Sequence, residues 1–241
     1  MGQIRVFADL ASLSQAAAER FVELARQAIG VRGRFLVALS GGSTPKLLYE
    51  ILATETYAKR IDWMHVEVFF TDERCVPPNH PNSNYRMARL ALLEKIDIPP
   101  ENVHRIRGEL PPADAALAYR DELRSVLLNN GLLDLILLGM GADGHTASLF
   151  PGSDALVQKD ADVVATYVRA LHTWRVTLTV SALNAARNIL FLITGCEKAS
   201  ALEHVFSGEM LPAGRVKPGL DTLVWFVDQE AASRVLADNR Q

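Results

Sequence analysis

Four short polar clusters carry the residue types from which a reaction could be built. In Ser40-Gly41-Gly42-Ser43-Thr44-Pro45, two glycines let the backbone turn sharply and come close to a ligand. The hydroxyls then face the same point as the free N–H groups of the helix that follows. Such a loop is a ready anion site, although Ser/Thr-Pro also starts many helices as an ordinary cap. Two glycines and three hydroxyls exceed what a cap needs. Thr71-Asp72-Glu73-Arg74 sets a carboxylate and a guanidinium two residues apart. That tetrad is either a base and a phosphate clamp or a solvated charge cluster opening a loop. The adjacent Cys75 reads as a small filler, because no His or second Cys is placed to activate it.

The third cluster, Gly139-Met140-Gly141-Ala142-Asp143-Gly144-His145-Thr146-Ala147-Ser148, formally matches the GxGxxG dinucleotide fingerprint. That fingerprint needs a long helix opening at its last glycine. Here Pro151-Gly152 stops any helix within a turn or two, so a nicotinamide site is excluded. What remains is a turn offering Asp143 and His145 with little steric cover, the carboxylate directing the imidazole for proton transfer. In the fourth cluster, Gly195-Cys196-Glu197-Lys198-Ala199, Lys198 stands in the first turn of a helix, against the unfavourable end of the macrodipole. A bound anion would relieve that conflict; the alternative is a lysine snorkelling to water. Arg175 heads the apolar run Arg175–Val180 and is a further cation candidate.

All four clusters directly follow short apolar runs. Ile4–Phe7, Phe35–Leu39, Val66–Phe70, Leu132–Leu138, Val163–Val168, Arg175–Val180, Asn188–Thr194 and Leu223–Val227 have the character of strands. Leu132–Leu138 is apolar almost throughout, as a strand covered on both faces must be. Helical spacing fills the gaps at Ala16–Ile29, after Pro45, at Asn84–Lys95, at Asp114–Asn129 and at Glu197–Phe206. Asp9 and Ser12 are cap candidates for the first, and Leu117, Leu123, Val126 and Leu127 form the inward stripe of Asp114–Asn129. Strands alternating with helices of this length imply βαβ crossovers and a mainly parallel α/β sheet. In such sheets ligands bind beyond the carboxyl ends of the strands, where the four clusters stand. No repeat, low-complexity segment or composition shift divides the chain, so residues 1–241 are expected to form one domain.

Composition narrows the function. The 241 residues carry 25 Lys+Arg against 28 Asp+Glu, a formal charge of −3, with 49% apolar and 22% charged residues. A chain of this length buries roughly three quarters of its surface without staples. The balance leaves no basic footprint for nucleic acid. Two cysteines, Cys75 and Cys196, make neither a disulfide framework nor a thiolate metal cage. Met1–Phe7 lacks the apolar core of a signal peptide, no apolar run is long enough for a bilayer, and a cytoplasmic location is expected. No G-x-S-x-G elbow or H-E-x-x-H pair occurs, and the S-x-x-K at Ser43–Lys46 lacks a following Lys-Thr-Gly. Neither metal nor organic cofactor is expected.

Taken together, SGGSTPKLLY (Ser40–Tyr49), Thr71–Arg74 with Ser83-Asn84, GMGADGHTASLFPG (Gly139–Gly152), RVTLT (Arg175–Thr179) and GCEKA (Gly195–Ala199) resemble, in this order, the 6-phosphogluconolactonases. Trp225–Asp228 with Ala231-Ala232 resembles that family's C-terminal segment. The resemblance implies a Rossmann-like three-layer α/β/α sandwich of the kind shared with glucosamine-6-phosphate deaminases. It also implies cofactor-free hydrolysis of a phosphorylated sugar lactone, 6-phospho-D-glucono-1,5-lactone. His145 is then the general base and Asp72 a further catalytic carboxylate, with Asp143 or Asp72 holding the imidazole. Arg74 and Lys198, with Gly41, Gly42, Ser43 and Thr44, grip the phosphate, and backbone N–H groups of Gly141–His145 are the expected oxyanion donors. A deaminase or isomerase is the nearest alternative, but its pattern carries an acid where this chain has Phe150. A sugar-phosphate sensor is more distant, since such proteins carry a basic DNA-binding segment ahead of the first strand.

Overall fold

The computed structural model describes residues 2–127, 131–219 and 223–238. In chain order its strands and helices are β1 (Gln3–Phe7), α1 (Leu10–Arg32), β2 (Phe35–Leu39), α2 (Ser43–Leu52), α3 (Glu55–Ala58), β3 (Val66–Phe70), β4 (Asp72–Arg74), α4 (Asn84–Ala91), α5 (Pro112–Leu127), β5 (Leu135–Leu138), β6 (Val163–Val168), β7 (Thr173–Leu178), α6 (Val180–Asn184), β8 (Ile189–Ile193), α7 (Ala199–Phe206), β9 (Leu223–Asp228) and α8 (Ser233–Asp238). The start of α1 is set by Asp9 and Ser12, which cap each other's backbone N–H groups in a capping box. Its end is set by Gly33 in the left-handed region. Among the described residues no helix is long and apolar enough to cross a membrane.

Six strands pair in parallel in the order β1-β9-β8-β5-β2-β3. Every residue of β2, β5 and β8 is buried, which requires cover on both faces of the sheet. Phe21 of α1 meets Phe35 edge-on at 5.2 Å, and Phe191 stacks flat on Trp225 at 3.9 Å. From β2 the chain moves outward to β3, then returns to the other side at β5. The crevice between β2 and β5 is therefore the point where the winding reverses, and a ligand belongs there. Since β8, β5, β2 and β3 are neighbours, the four polar loops at their carboxyl ends stand in a row.

A second sheet was not visible in the sequence. β4, β7 and β6 pair antiparallel in that order, with Arg74 opposite Arg175 and Asp72 opposite Thr177. Thr71 joins the two sheets: its N–H donates to the Leu39 carbonyl, and its own carbonyl accepts from Leu178. Asp72–Arg74 is too short to show alternation, so a charge cluster hid a strand. β7 also begins two residues before the expected Arg175 and ends at Leu178.

Other expected boundaries move for local reasons. α4 ends at Ala91, and Leu93–Lys95 winds on as a 3-10 turn. Cys196–Lys198 is likewise a 3-10 turn ahead of α7. The strand expected over Leu132–Leu138 is shortened because Asp134 turns its carboxylate to Leu36 N–H (3.0 Å) and Arg32 (2.7 Å). The stripe expected on α5 is wrong at Leu117, which is 49% exposed; Ala115, Ala116, Tyr119 and Leu123 face inward. The expected end of that helix near Asn129 lies outside the described residues.

Edge strand β3 is closed by the backbone at Val103–His104, where the His104 N–H donates to the Val68 carbonyl, and by two side chains. The Tyr119 hydroxyl accepts from Phe70 N–H and donates to its carbonyl. His104 lies flat on Phe69 and bonds Glu67 at 2.8 Å and Glu122 at 2.9 Å. Burial alone would push this imidazole down, but the two carboxylates outweigh it and raise its pKa to about 9. The folded value lies above the unfolded one, near 6.5. The stabilisation is therefore complete below about pH 6.5 and is lost as pH rises through 9. The urea midpoint is expected to fall across that window, and to fall less in His104→Gln. Equal slopes would remove His104 from the account.

Candidate active site

At the crevice the backbone of the first cluster enters α2 through Gly42, whose φ of 115° only glycine adopts without strain. No side chain caps α2. Ser43 and Thr44, whose N–H groups belong to its first turn, line the cavity, where the helix dipole favours an anion. Behind them the Tyr49 hydroxyl accepts from Ser40 N–H and donates to its carbonyl, which fixes the end of β2. Thr44 and Thr194 share a hydroxyl hydrogen bond of 2.9 Å, tying this loop to the end of β8.

A cavity of about 210 Å³ collects nine of the ten candidate residues on its walls: Gly41, Gly42, Ser43, Thr44, Asp72, Arg74, His145, Arg175 and Lys198. The tenth, Asp143, stands one residue behind the wall. Its Oδ1 lies 2.6 Å from His145 Nδ1 and also accepts the His145 N–H at 3.1 Å. Partial burial opposes its ionisation, but these two bonds win and hold Asp143 below the usual carboxylate range. With Nδ1 engaged, Nε2 is the imidazole's free nitrogen. Gly141 passes so close that a Cβ there would collide with the imidazole.

Asp72 does not touch the imidazole. It is buried, with Oδ2 accepting from Ser148 (2.6 Å) and Oδ1 from Asn84 (3.2 Å), and Arg175 stands 3.9 Å away. Of the two carboxylates expected to hold the base, the geometry thus leaves Asp143. Of the expected oxyanion donors in Gly141–His145, three are already engaged. The N–H groups of Gly141, Gly144 and His145 already donate within the turn, to the carbonyls of His145 and Gly141 and to Asp143.

Three cations line the same cavity. Arg74 donates Nη1 to the Asn82 carbonyl at 2.6 Å and leaves a buried Nε without a protein partner. Burial draws the Arg175 guanidinium below its usual range, against the pull of Asp72. Lys198 stands at the residue before α7 with its ammonium 3.7 Å from the Glu197 carboxylate, and its turn is pinned by buried Asp228, which accepts from Gly195 and Ala231 N–H. Cys75 is a bystander, its thiol pushed up to about 11 by burial and by Glu73.

Of the two readings of the tetrad, a solvated charge cluster does not fit Glu73, which is buried. It accepts from Arg74, Asn84 and Tyr85 N–H and from the Ser83 hydroxyl, all within 2.7–2.9 Å. Burial raises its pKa against those donors. Its work is to lock the start of α4, and hence Asn84, beside the cavity. Ser148, Ala147 and Thr194 complete the walls or their supports. The Ala147 backbone sits at φ 49°, a left-handed conformation forced on a non-glycine residue inside the site.

The family model described as "Glucosamine-6-phosphate isomerases/6-phosphogluconolactonase" matches residues 8–225. The chain belongs to this family. Among curated relatives, the 6-phosphogluconolactonase of Haemophilus influenzae is 40% identical over 204 residues, 83% of this chain and 87% of its own. That of Rattus norvegicus is 38% identical over 244 residues, 98% and 94%. The crystal structure of 6-phosphogluconolactonase from Thermotoga maritima superposes with a TM-score of 0.84 at 33% identity, covering 95% of this chain and all of that one. A monomeric glucosamine-6-phosphate deaminase, at 21% identity and a TM-score of 0.81, shares the fold. The family is thus a Rossmann-like α/β scaffold with more than one chemistry on it, and the site must decide between them.

Proposed function

We infer that the chain hydrolyses 6-phospho-D-glucono-1,5-lactone to 6-phospho-D-gluconate, a step of the oxidative pentose phosphate pathway. The observation that carries this reading is the Asp143–His145 pair opening on a cavity whose other walls are cationic and carry an uncapped helix end. A δ-lactone is an activated ester, so an oriented water and a base suffice, and no covalent nucleophile is needed. His145 Nε2 takes a proton from water as its oxygen attacks C1, while Asp143 steadies the imidazolium. The C1–ring oxygen bond then breaks, and the leaving oxygen takes that proton to become the C5 hydroxyl.

Gly41, Gly42, Ser43 and Thr44 with Arg74 and Lys198 hold the phosphate, so that remote binding energy fixes C1 beside the base. Asp72, bonded to Ser148 and Asn84 rather than to His145, is the second carboxylate and acts on the substrate. Deamination or isomerisation needs a further proton-transfer group, and Phe150 stands where the deaminase pattern carries one. The test is acid release from freshly prepared lactone above the spontaneous rate, run beside an ammonia assay on glucosamine 6-phosphate. Lactone turnover without ammonia is expected; ammonia release would overturn the reading.

A further inference from the structure

The imidazole of His145 is held less firmly than a base should be. Its side chain is 29% exposed and that of Asp143 is 49% exposed, so both members of the pair reach toward solvent. Rotation about the bond to a planar ring has broad minima. One hydrogen bond at Nδ1 does not fix the ring plane, and with it the direction of Nε2.

A flat contact supplies what the hydrogen bond lacks. The Phe150 ring lies 4.1 Å from the imidazole, centroid to centroid, with 18° between the planes. Phe150 is itself built on a stiff base. Pro151 follows it and restricts its backbone to extended conformations. Leu149 before it is fully buried and donates its N–H to the Thr146 carbonyl. Ser148, one residue earlier, is anchored by Thr177 and Asp72. The guanidinium of buried Arg175 stands 5.6 Å from the phenyl centroid, within cation–π reach. The ring is therefore placed by the antiparallel sheet and faces the base.

We propose that Phe150 is a positioning residue, a plate that sets the plane of His145 so that Nε2 addresses the attacking water. The proposal deepens the hydrolytic reading above and rests on His145 being its base. Nothing in it requires Phe150 to touch substrate. Loss of the flat face frees the imidazole to swing about its Asp143 bond, and misplacement of a catalytic group by about 1 Å costs up to about a hundredfold.

The test is a double-mutant cycle on lactone hydrolysis, with melting temperatures measured alongside. Phe150→Leu is expected to lower kcat about tenfold to a hundredfold, with KM within about twofold of the parent and little change in melting temperature. Phe150→Tyr keeps the flat face and is expected to retain near-parental kcat. In the His145→Ala background, Phe150→Leu is expected to cost nothing more, because a residue acting through an absent ring has nothing to act on. If leucine lowers the melting temperature, Phe150→Met repeats the measurement with a long apolar chain that has no flat face. A parental kcat in Phe150→Leu, or the same loss with and without His145, overturns the proposal while leaving His145 as the base. If His145→Ala alone costs only a few-fold, the hydrolytic reading fails first, and this proposal with it.

Discussion

Replacing His145 with alanine is expected to slow hydrolysis of the phosphorylated δ-lactone by about a hundredfold or more, the usual contribution of a positioned general base. KM should change little, because the cavity's cations and the start of α2, not the imidazole, hold the anionic end of the substrate. The measurement is acid release corrected for spontaneous hydrolysis, which for an activated ester is fast enough to set the floor. Asp143→Asn refines the result. An aspartate at 2.6 Å from Nδ1 requires a proton on that nitrogen and leaves Nε2 bare. An amide can instead donate to Nδ1 and put the proton on Nε2, where it blocks the base. Asp143→Asn should therefore lose kcat with its fold intact through the tautomer of the imidazole, whereas any loss in Asp72→Asn has another cause, since Asp72 bonds Ser148 and Asn84 and not the ring. A loss of only a few-fold in His145→Ala would make the imidazole a spectator, and the water would need another base.

The place of His145 and its Asp143 partner was legible in the sequence, and the phenyl ring lying flat on the imidazole was not. A Gly-rich turn directly after an apolar run marks a strand end, and strand ends in a parallel sheet share one side of the molecule. That logic located Ser40–Thr44, Asp72, His145 and Lys198 without knowledge of strand order. It gave no means of seeing Glu73 as buried, because four surrounding donors decide that, and Ser83, Asn84 and Tyr85 lie about ten residues away in sequence. Asn84 and Ser148 were present in the quoted motifs but had no assignable role until Asp72 turned toward both. The antiparallel sheet was hidden because a three-residue strand has no period to read. Leu117 failed for the opposite reason. A leucine on a helix obeys the apolar spacing, and only the packing of α5 shows that alanines and Tyr119 face the core while Leu117 faces water.

Arg74→Ala is expected to lower kcat/KM for the phosphorylated lactone by about tenfold to a hundredfold, the range for one hydrogen bond to a charged group. Turnover of the unphosphorylated δ-lactone should be almost unchanged. The contrast follows from where the guanidinium stands. It is fixed by the Asn82 carbonyl at 2.6 Å on the rim of a cavity that also holds the N–H groups at the start of α2. It also retains a buried Nε for which the protein supplies no acceptor. The guanidinium charge favours a phosphate dianion over a neutral hydroxymethyl group. Lys198→Ala should show the same selectivity, because its side chain lines the same cavity at the start of α7, with its ammonium 3.7 Å from the Glu197 carboxylate and able to pair with a bound phosphate as well. Arg175 separates two cases that geometry alone leaves together, since it faces both the cavity and Asp72. If Arg175→Ala damages only the phosphorylated substrate, it is a third phosphate ligand. If both substrates suffer equally, its charge acts through Asp72 and Phe150 on the reacting end. Should Arg74→Ala itself harm the two lactones alike, the phosphate lies elsewhere, and the orientation of the sugar in the cavity must be reversed.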